Sequence, residues 1–258
     1  MTDVSKQSQV DTTRRSLLAR NLKAIGVVAA GAIVTKLTPA HAVARPVCFL
    51  RGTKVRTVEG ERRIEDLAVG DQLPTVFGGV RPIQWIVRFR RQRAEAGQPW
   101  PNHARPIRIM KSALAPNVPQ ADLFVTSGHA LLIDGVLVTA GSLVNGITIA
   151  PYPAEELDEL EFFQIKLGTH DAIFAEGAPC ETLLKVDESV TDYADYIDSC
   201  GPAQSQDEHC APIYGNGARS EISWRLHSAM SRWVGPHKVD TIRERLESRV
   251  AEALASAS

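Results

Sequence analysis

The sequence predicts a mainly β protein with an α-helical appendage at its C-terminal end. Three observations carry that expectation. Short runs of alternating apolar and polar residues recur from about residue 47 to 186, each broken by Gly, Pro or Asp. Asp134-Gly135 lies between two apolar runs and is the strongest short hairpin signal in the chain. Beyond residue 219 the apolar spacing changes from two to three and four.

The first 42 residues read as an address rather than as fold. Arg14 and Arg15 precede Ser16, Leu17 and Leu18, an uncharged Ala- and Gly-rich run covers 24–35, and "TPAHA" offers small residues at the positions a signal peptidase inspects. The pattern resembles a twin-arginine export signal cleaved after Ala42, with Ala44 as a second site. Twelve uncharged residues make about 18 Å of helix, short of the hydrocarbon core, so no stable membrane span is expected once the signal is removed. The expected location is therefore periplasmic or extracellular, where disulfides persist.

The expected β domain spans 46–186. Val55, Thr57 and Ile64 alternate around Glu59-Gly60, and Gly70-Asp71 and Gly78-Gly79 break the next run. Ile83, Trp85, Val87 and Phe89 alternate with Arg and Gln, "RPIRIM" gives a further strand, and "LEFFQIKLGTHDAIFAEG" gives two. The Arg-rich stretch 88–106 reads as a solvated loop, since no aromatic interleaving suggests base stacking. Residues 187–218 are polar and turn-rich and read as a linker. In the tail, 219–258, Ile222, Leu226, Met230, Trp233 and Val234 mark one amphipathic helix. Val239, Ile242, Leu246, Val250 and Leu254 mark a second, with Pro236 between them.

The chain has 258 residues and a formal net charge of −1, with residues 1–42 carrying six Lys/Arg against two Asp/Glu. A mildly acidic mature chain is no nucleic-acid footprint. No motif implies a cofactor.

Three segments carry candidate chemistry: "CFLRGT" beginning at Cys48, "VTSGHALLIDG" with Thr126 and His129 as a T-x-x-H, and "LGTHDAIFAEGAPCET" with His170 and Asp171. On these segments the chain from about 46 to 186 resembles a Hint domain, the fold shared by Hedgehog C-terminal regions and inteins, and is most similar to the bacterial branch that begins "CF..GT". The resemblance implies a horseshoe-shaped β fold in which the two ends of the domain meet. It further implies attack by the Cys48 thiol on the carbonyl of Val47, converting that peptide bond to a thioester. Read by the resemblance, His129 is the general acid/base, Thr126 positions it and the scissile peptide, and His170 assists. Asp171 orients His170 or is simply a turn residue. Read from the residues alone, His129 is better explained as a satisfied core histidine, and Cys48 could be an ordinary buried thiol.

The pattern departs from its relatives in two places. Where inteins carry a terminal His-Asn pair this chain has Glu181 and Thr182, neither of which forms a succinimide, so full splicing is not expected. Gln164 stands where related bacterial sequences often carry His, and a Gln transfers no proton. Upstream of Cys48 only "VARPV" follows the expected signal, so cleavage would free a short stub, with water or another small nucleophile as acyl acceptor. The alternative is a Hint-like module that serves structure or interaction and does not cut.

Two cysteine pairings are open. If the domain's ends meet as the resemblance implies, Cys180 lies near Cys48 and a disulfide would lock the nucleophile. Cys200 and Cys210 would close a ten-residue loop worth about 2–3 kcal/mol. A zinc site from Cys200, Cys210 and His209 lacks paired C-x-x-C spacing, so no metal is expected.

Overall fold

In chain order the strands are β1 (Phe49–Leu50), β2 (Lys54–Thr57), β3 (Gly60–Arg63), β4 (Gln72–Pro74) and β5 (Val80–Gln92). There follow β6 (Ile107–Ile109), β7 (Leu123–Val125), β8 (Ala130–Ile133), β9 (Val136–Thr139) and β10 (Ile149–Pro151). The last are β11 (Glu159–Leu167), β12 (Ala172–Ala175), β13 (Ala178–Glu181) and β14 (Ile213–Tyr214), and one helix, α1 (Lys238–Ser256), closes the order. The structure is a computed structural model describing residues 47–95, 97–185, 208–215 and 238–256. The expected export signal, Cys200, most of the linker and the expected helix over 220–234 lie outside the described residues.

The strands form two seven-stranded sheets, ordered β10-β6-β7-β1-β11-β5-β4 and β14-β9-β8-β13-β12-β2-β3. The two-residue β1 is central, not peripheral. It pairs antiparallel with β11 through Phe49↔Phe163 and with β7 through Phe49↔Val125. Strand β13, from the far end of the domain, is likewise inserted between β12 and β8. The chain passes from one sheet to the other in the turn between β7 and β8, which is the T-x-x-H segment. Phe49, Val55, Leu73, Ile109, Val125, Leu131, Phe163 and Ile173 are among the side chains of the core.

The hairpin signals are realised. Asp134 and Gly135 both have positive φ, 51° and 76°, which a two-residue turn between β8 and β9 requires. The Arg-rich loop over 88–106 is a correction. Strand β5 runs on to Gln92, because Arg88 and Arg90 alternate with inward residues and pair with the buried Glu161 on the neighbouring β11. Within the following segment Trp100 and Ala104 are buried, and the Trp100 indole N–H donates to the Leu157 carbonyl. The expected linker differs too: residues 208–215 dock on the domain. Ala211 is buried, and β14 adds parallel to the edge of β9 at Ile213↔Leu137 and Tyr214↔Val138.

Helix α1 buries Val239, Ile242, Leu246 and Val250, the expected stripe. Arg243 and Arg249 donate to the carbonyls of Ser142 and Ser112, and Arg245 pairs with Asp134 at 2.7 Å. Among the described residues no helix is long and apolar enough to cross a membrane.

Candidate active site

Strand register brings the first segment to the second. One step before Phe49↔Val125, Cys48 stands opposite Thr126 and is clamped on both sides. Its backbone N–H donates to Thr126 Oγ1 at 3.0 Å, and its carbonyl accepts the Thr126 N–H at 2.9 Å. That N–H belongs to the Val47–Cys48 peptide, so the threonine hydroxyl touches the nitrogen of the bond the sequence marked. On the other flank, one step before Phe49↔Phe163, Gln164 donates its amide N–H to Cys48 Sγ at 3.1 Å. Cys48 is fully buried beside Trp100, Ala104 and Leu160. Burial pushes its thiol up to about 12, against the hydrogen bonds from Gln164 and Thr126 and the charge of Arg91, which favour the thiolate.

His129 closes the turn that Thr126 opens, its N–H donating to the Thr126 carbonyl at 3.0 Å. The ring is fully buried, tilted against Phe49 with centroids 4.2 Å apart, and neither ring nitrogen has a hydrogen-bond partner. Burial holds the imidazole down near 4, while Glu181 and the Cys48 backbone pull it upward and His170 pushes it further down. A buried imidazole with unsatisfied nitrogens costs stability.

His170 and Glu181 form a second cluster. Glu181 ends β13 and is buried; its Oε1 accepts the Ala130 N–H at 2.7 Å, one residue from His129. Its Oε2 lies 3.5 Å from His170 Nε2. The Cys210 backbone N–H donates to His170 Nδ1 at 2.9 Å, and the His209 ring stands edge-on to His170 at 5.2 Å. Burial and His170 lower the His209 imidazole, while Glu181 raises it.

Ligand atoms of His170, Glu181 and His209 lie within 4.8 Å of one another, the spacing of a potential metal cluster. The hydrogen bonds argue against it. With Nδ1 accepting an amide N–H, a neutral His170 ring carries its proton on Nε2 and has no free lone pair there; Nε2 lies 3.5 Å from Glu181 without a hydrogen bond to it. As folded, the three residues make a polar cluster rather than a cage.

Asp171 is committed elsewhere. Its Oδ1 accepts from the N–H groups of Phe77 and Ala172, and its Oδ2 pairs with Arg81 at 3.2 Å, fixing the loop after β4. Its own N–H donates to Thr182 Oγ1. The Cys48–Cys180 pairing is a correction, since both are free thiols, as is Cys210, while the Cys200–Cys210 pairing falls on a residue outside those described. Cys180 is buried in the main core on β13, opposite Ile173 and Leu131, whereas Cys48 packs in a separate cluster. Cys210 lies beside His170, and Cys200 falls outside the described residues.

Sequence reasoning thus named Gln164 only for a proton transfer it lacks and Glu181 only for a ring closure it cannot perform. The structure places both at the site. The register Phe49↔Phe163 puts Gln164 there, and contacts across 51 and 116 residues leave no local signal.

A protein-family model described as the Hint domain matches residues 47–187. Among solved structures the chain is similar to a DnaB intein from Synechocystis (8% identity, TM-score 0.37, covering 53% of this chain and 98% of that one). It is also similar to an intein-like domain from Clostridium thermocellum (13%, 0.37, 54% and 99%) and to the gp41-1 intein (13%, 0.36, 52% and 98%). No curated protein matches the chain.

Proposed function

The chain belongs to the Hint domain family, and from that premise we propose that it cleaves itself at Val47–Cys48 through a thioester, without splicing. The observation that carries this is the clamp of Thr126 on Cys48, which holds the scissile N–H at 3.0 Å within one turn of His129. At neutral pH the thiol keeps its proton and His129 is free to take it. The proton passes from Sγ to the imidazole while the C–S bond forms at the Val47 carbonyl carbon. The imidazolium then returns the proton to the Cys48 nitrogen, the C–N bond breaks, and a thioester and a free amine result. Gln164, donating to Sγ, stabilises the transient thiolate. Water or a small nucleophile then releases the segment ending at Val47 and restores the thiol.

Splicing does not follow, because Glu181 and Thr182 supply no asparagine to cyclise. We further propose export by the twin-arginine route. Lysine at both Arg14 and Arg15 should leave the chain in the cytoplasm, as fractionation reads.

The complete burial of Cys48 favours a second reading, a non-catalytic Hint module in which the thiol is core. Kinetics separate the two. The full chain, made by cell-free translation, is treated with dithiothreitol and the fragment of residues 1–47 is followed. Cys48→Ala should abolish its release, and His129→Ala should slow it about a hundredfold or more. Release from Cys48→Ala would assign cleavage to another agent.

A further inference from the structure

We propose that Glu181 is the counter-charge for protonated His129 during the acyl shift, a positioning role that rests on the self-cleaving reading. The geometry begins with the backbone. Glu181 ends β13 and His129 immediately precedes β8, its neighbour in the sheet, since β13 pairs with β8 at Cys180↔Leu131. The carboxylate accepts the Ala130 N–H at 2.7 Å, which fixes it one residue from His129. A buried carboxylate needs partners, and this one has a second in His170 Nε2 at 3.5 Å.

His170, an imidazole, cannot itself be the counter-charge, and its ring is fixed by the Cys210 N–H at Nδ1. The Glu181 carboxylate is the acid that the fold sets one residue from His129, whose ring is fully buried with no hydrogen bond to either nitrogen.

The groups facing His129 are few. Cys48 comes from just before β1, Glu181 from β13 and His170 from the turn before β12; His209 and Cys210 approach His170 and Glu181 from the docked 208–215 segment. Of these only Glu181 is a carboxylic acid, and its pull on the imidazole opposes the effect of burial. When the Sγ proton reaches His129, the fold would otherwise hold a lone cation without solvent. The carboxylate turns that into a buried pair at the moment it forms and returns to its resting partners when the proton moves to the Cys48 nitrogen.

Two variants and two readouts test this on the full chain. Glu181→Gln keeps the volume and the acceptor for Ala130 but removes the charge; Glu181→Asp keeps the charge. Thermal unfolding checks that each folds. The first readout is release of residues 1–47 by dithiothreitol from pH 5 to 8; the second is the titration midpoint of His129 by NMR of its ring. Expected for Glu181→Gln are a rate at least about tenfold lower and a midpoint about one unit or more below that of the unaltered chain. Glu181→Asp should recover part of both. An unchanged His129 midpoint in Glu181→Gln overturns the counter-charge, whatever the rate does. A lowered midpoint with an unchanged rate removes Glu181 from the reaction. If the unaltered chain does not cut at all, the self-cleaving reading fails by itself, and the His129 midpoint still decides whether the two residues are paired. Should Glu181→Gln not fold, Glu181→Asn, which also removes the charge, is held to the same two criteria.

Discussion

At the scale of single residues, His129 sets the pH behaviour. Its imidazole is held near 4 when folded, below the 6.5 of an exposed ring. Because the folded pKa is the lower, the unfolded chain binds the extra proton first, and stability is lost as pH falls from about 6.5 to 4. The loss approaches about 3 kcal/mol for a group buried this fully. His129→Gln should flatten that part of the stability profile, as denaturant titrations at pH 7 and 4.5 would show; an unchanged slope would refute the assignment. Cleavage has a matching expectation, since only the neutral ring accepts the thiol proton. The rate should fall away near pH 4 rather than near 6.5. Among the thiols, burial pushes Cys210 up only to about 11, and it is only partly buried, whereas Cys48 is fully buried and pushed to about 12. Iodoacetamide on the native chain should therefore label Cys210 well before Cys48 or Cys180, and peptide mapping reads the order.

At the scale of elements, the site hangs on short strands and one anchored loop. Asp171 ties the turn before β12 to the loop after β4 through Phe77 N–H and Arg81. Asp171→Ala leaves the Phe77 N–H unpaired and should cost about 2 kcal/mol, with a near-normal cleavage rate for the folded fraction. A rate collapse without lost stability would instead put Asp171 in the chemistry. Helix α1 contributes through burial: Ile242 is 1% exposed within the main core. Ile242→Ala should cost about 2–5 kcal/mol, measured by denaturant unfolding. These elements differ in how legible they were. The β8–β9 hairpin and the α1 stripe show in the sequence because their signals are local: two turn residues, and one apolar face repeating every turn. The continuation of β5 to Gln92 was hidden because its outward Arg residues read as loop until Glu161, some 70 residues away, supplied their partner.

At the scale of the whole molecule, the fold converts sequence distance into contact. Cys48, Thr126 and His129 were legible from their motifs, and the pairing of β1 with β7 places the first two in hydrogen-bond contact. The remainder of the site depends on that topology. Gln164 meets the sulfur because β11 flanks β1, and Glu181 reaches the His129 turn because β13 inserts beside β8. The docking of 208–215 was also unreadable, since its polar composition hides the Ala211 and Ile213 contacts that seat it on the β9 edge. The central claim is that this arrangement makes and resolves a thioester at Val47. Hydroxylamine tests it most directly, because it captures a thioester as a hydroxamate on the residue that formed it. Intact-mass spectrometry of the full chain after hydroxylamine should show a fragment ending in a Val47 hydroxamate and a partner beginning at Cys48, both absent from Cys48→Ala. A chain that keeps its full mass under the same treatment would contradict the account.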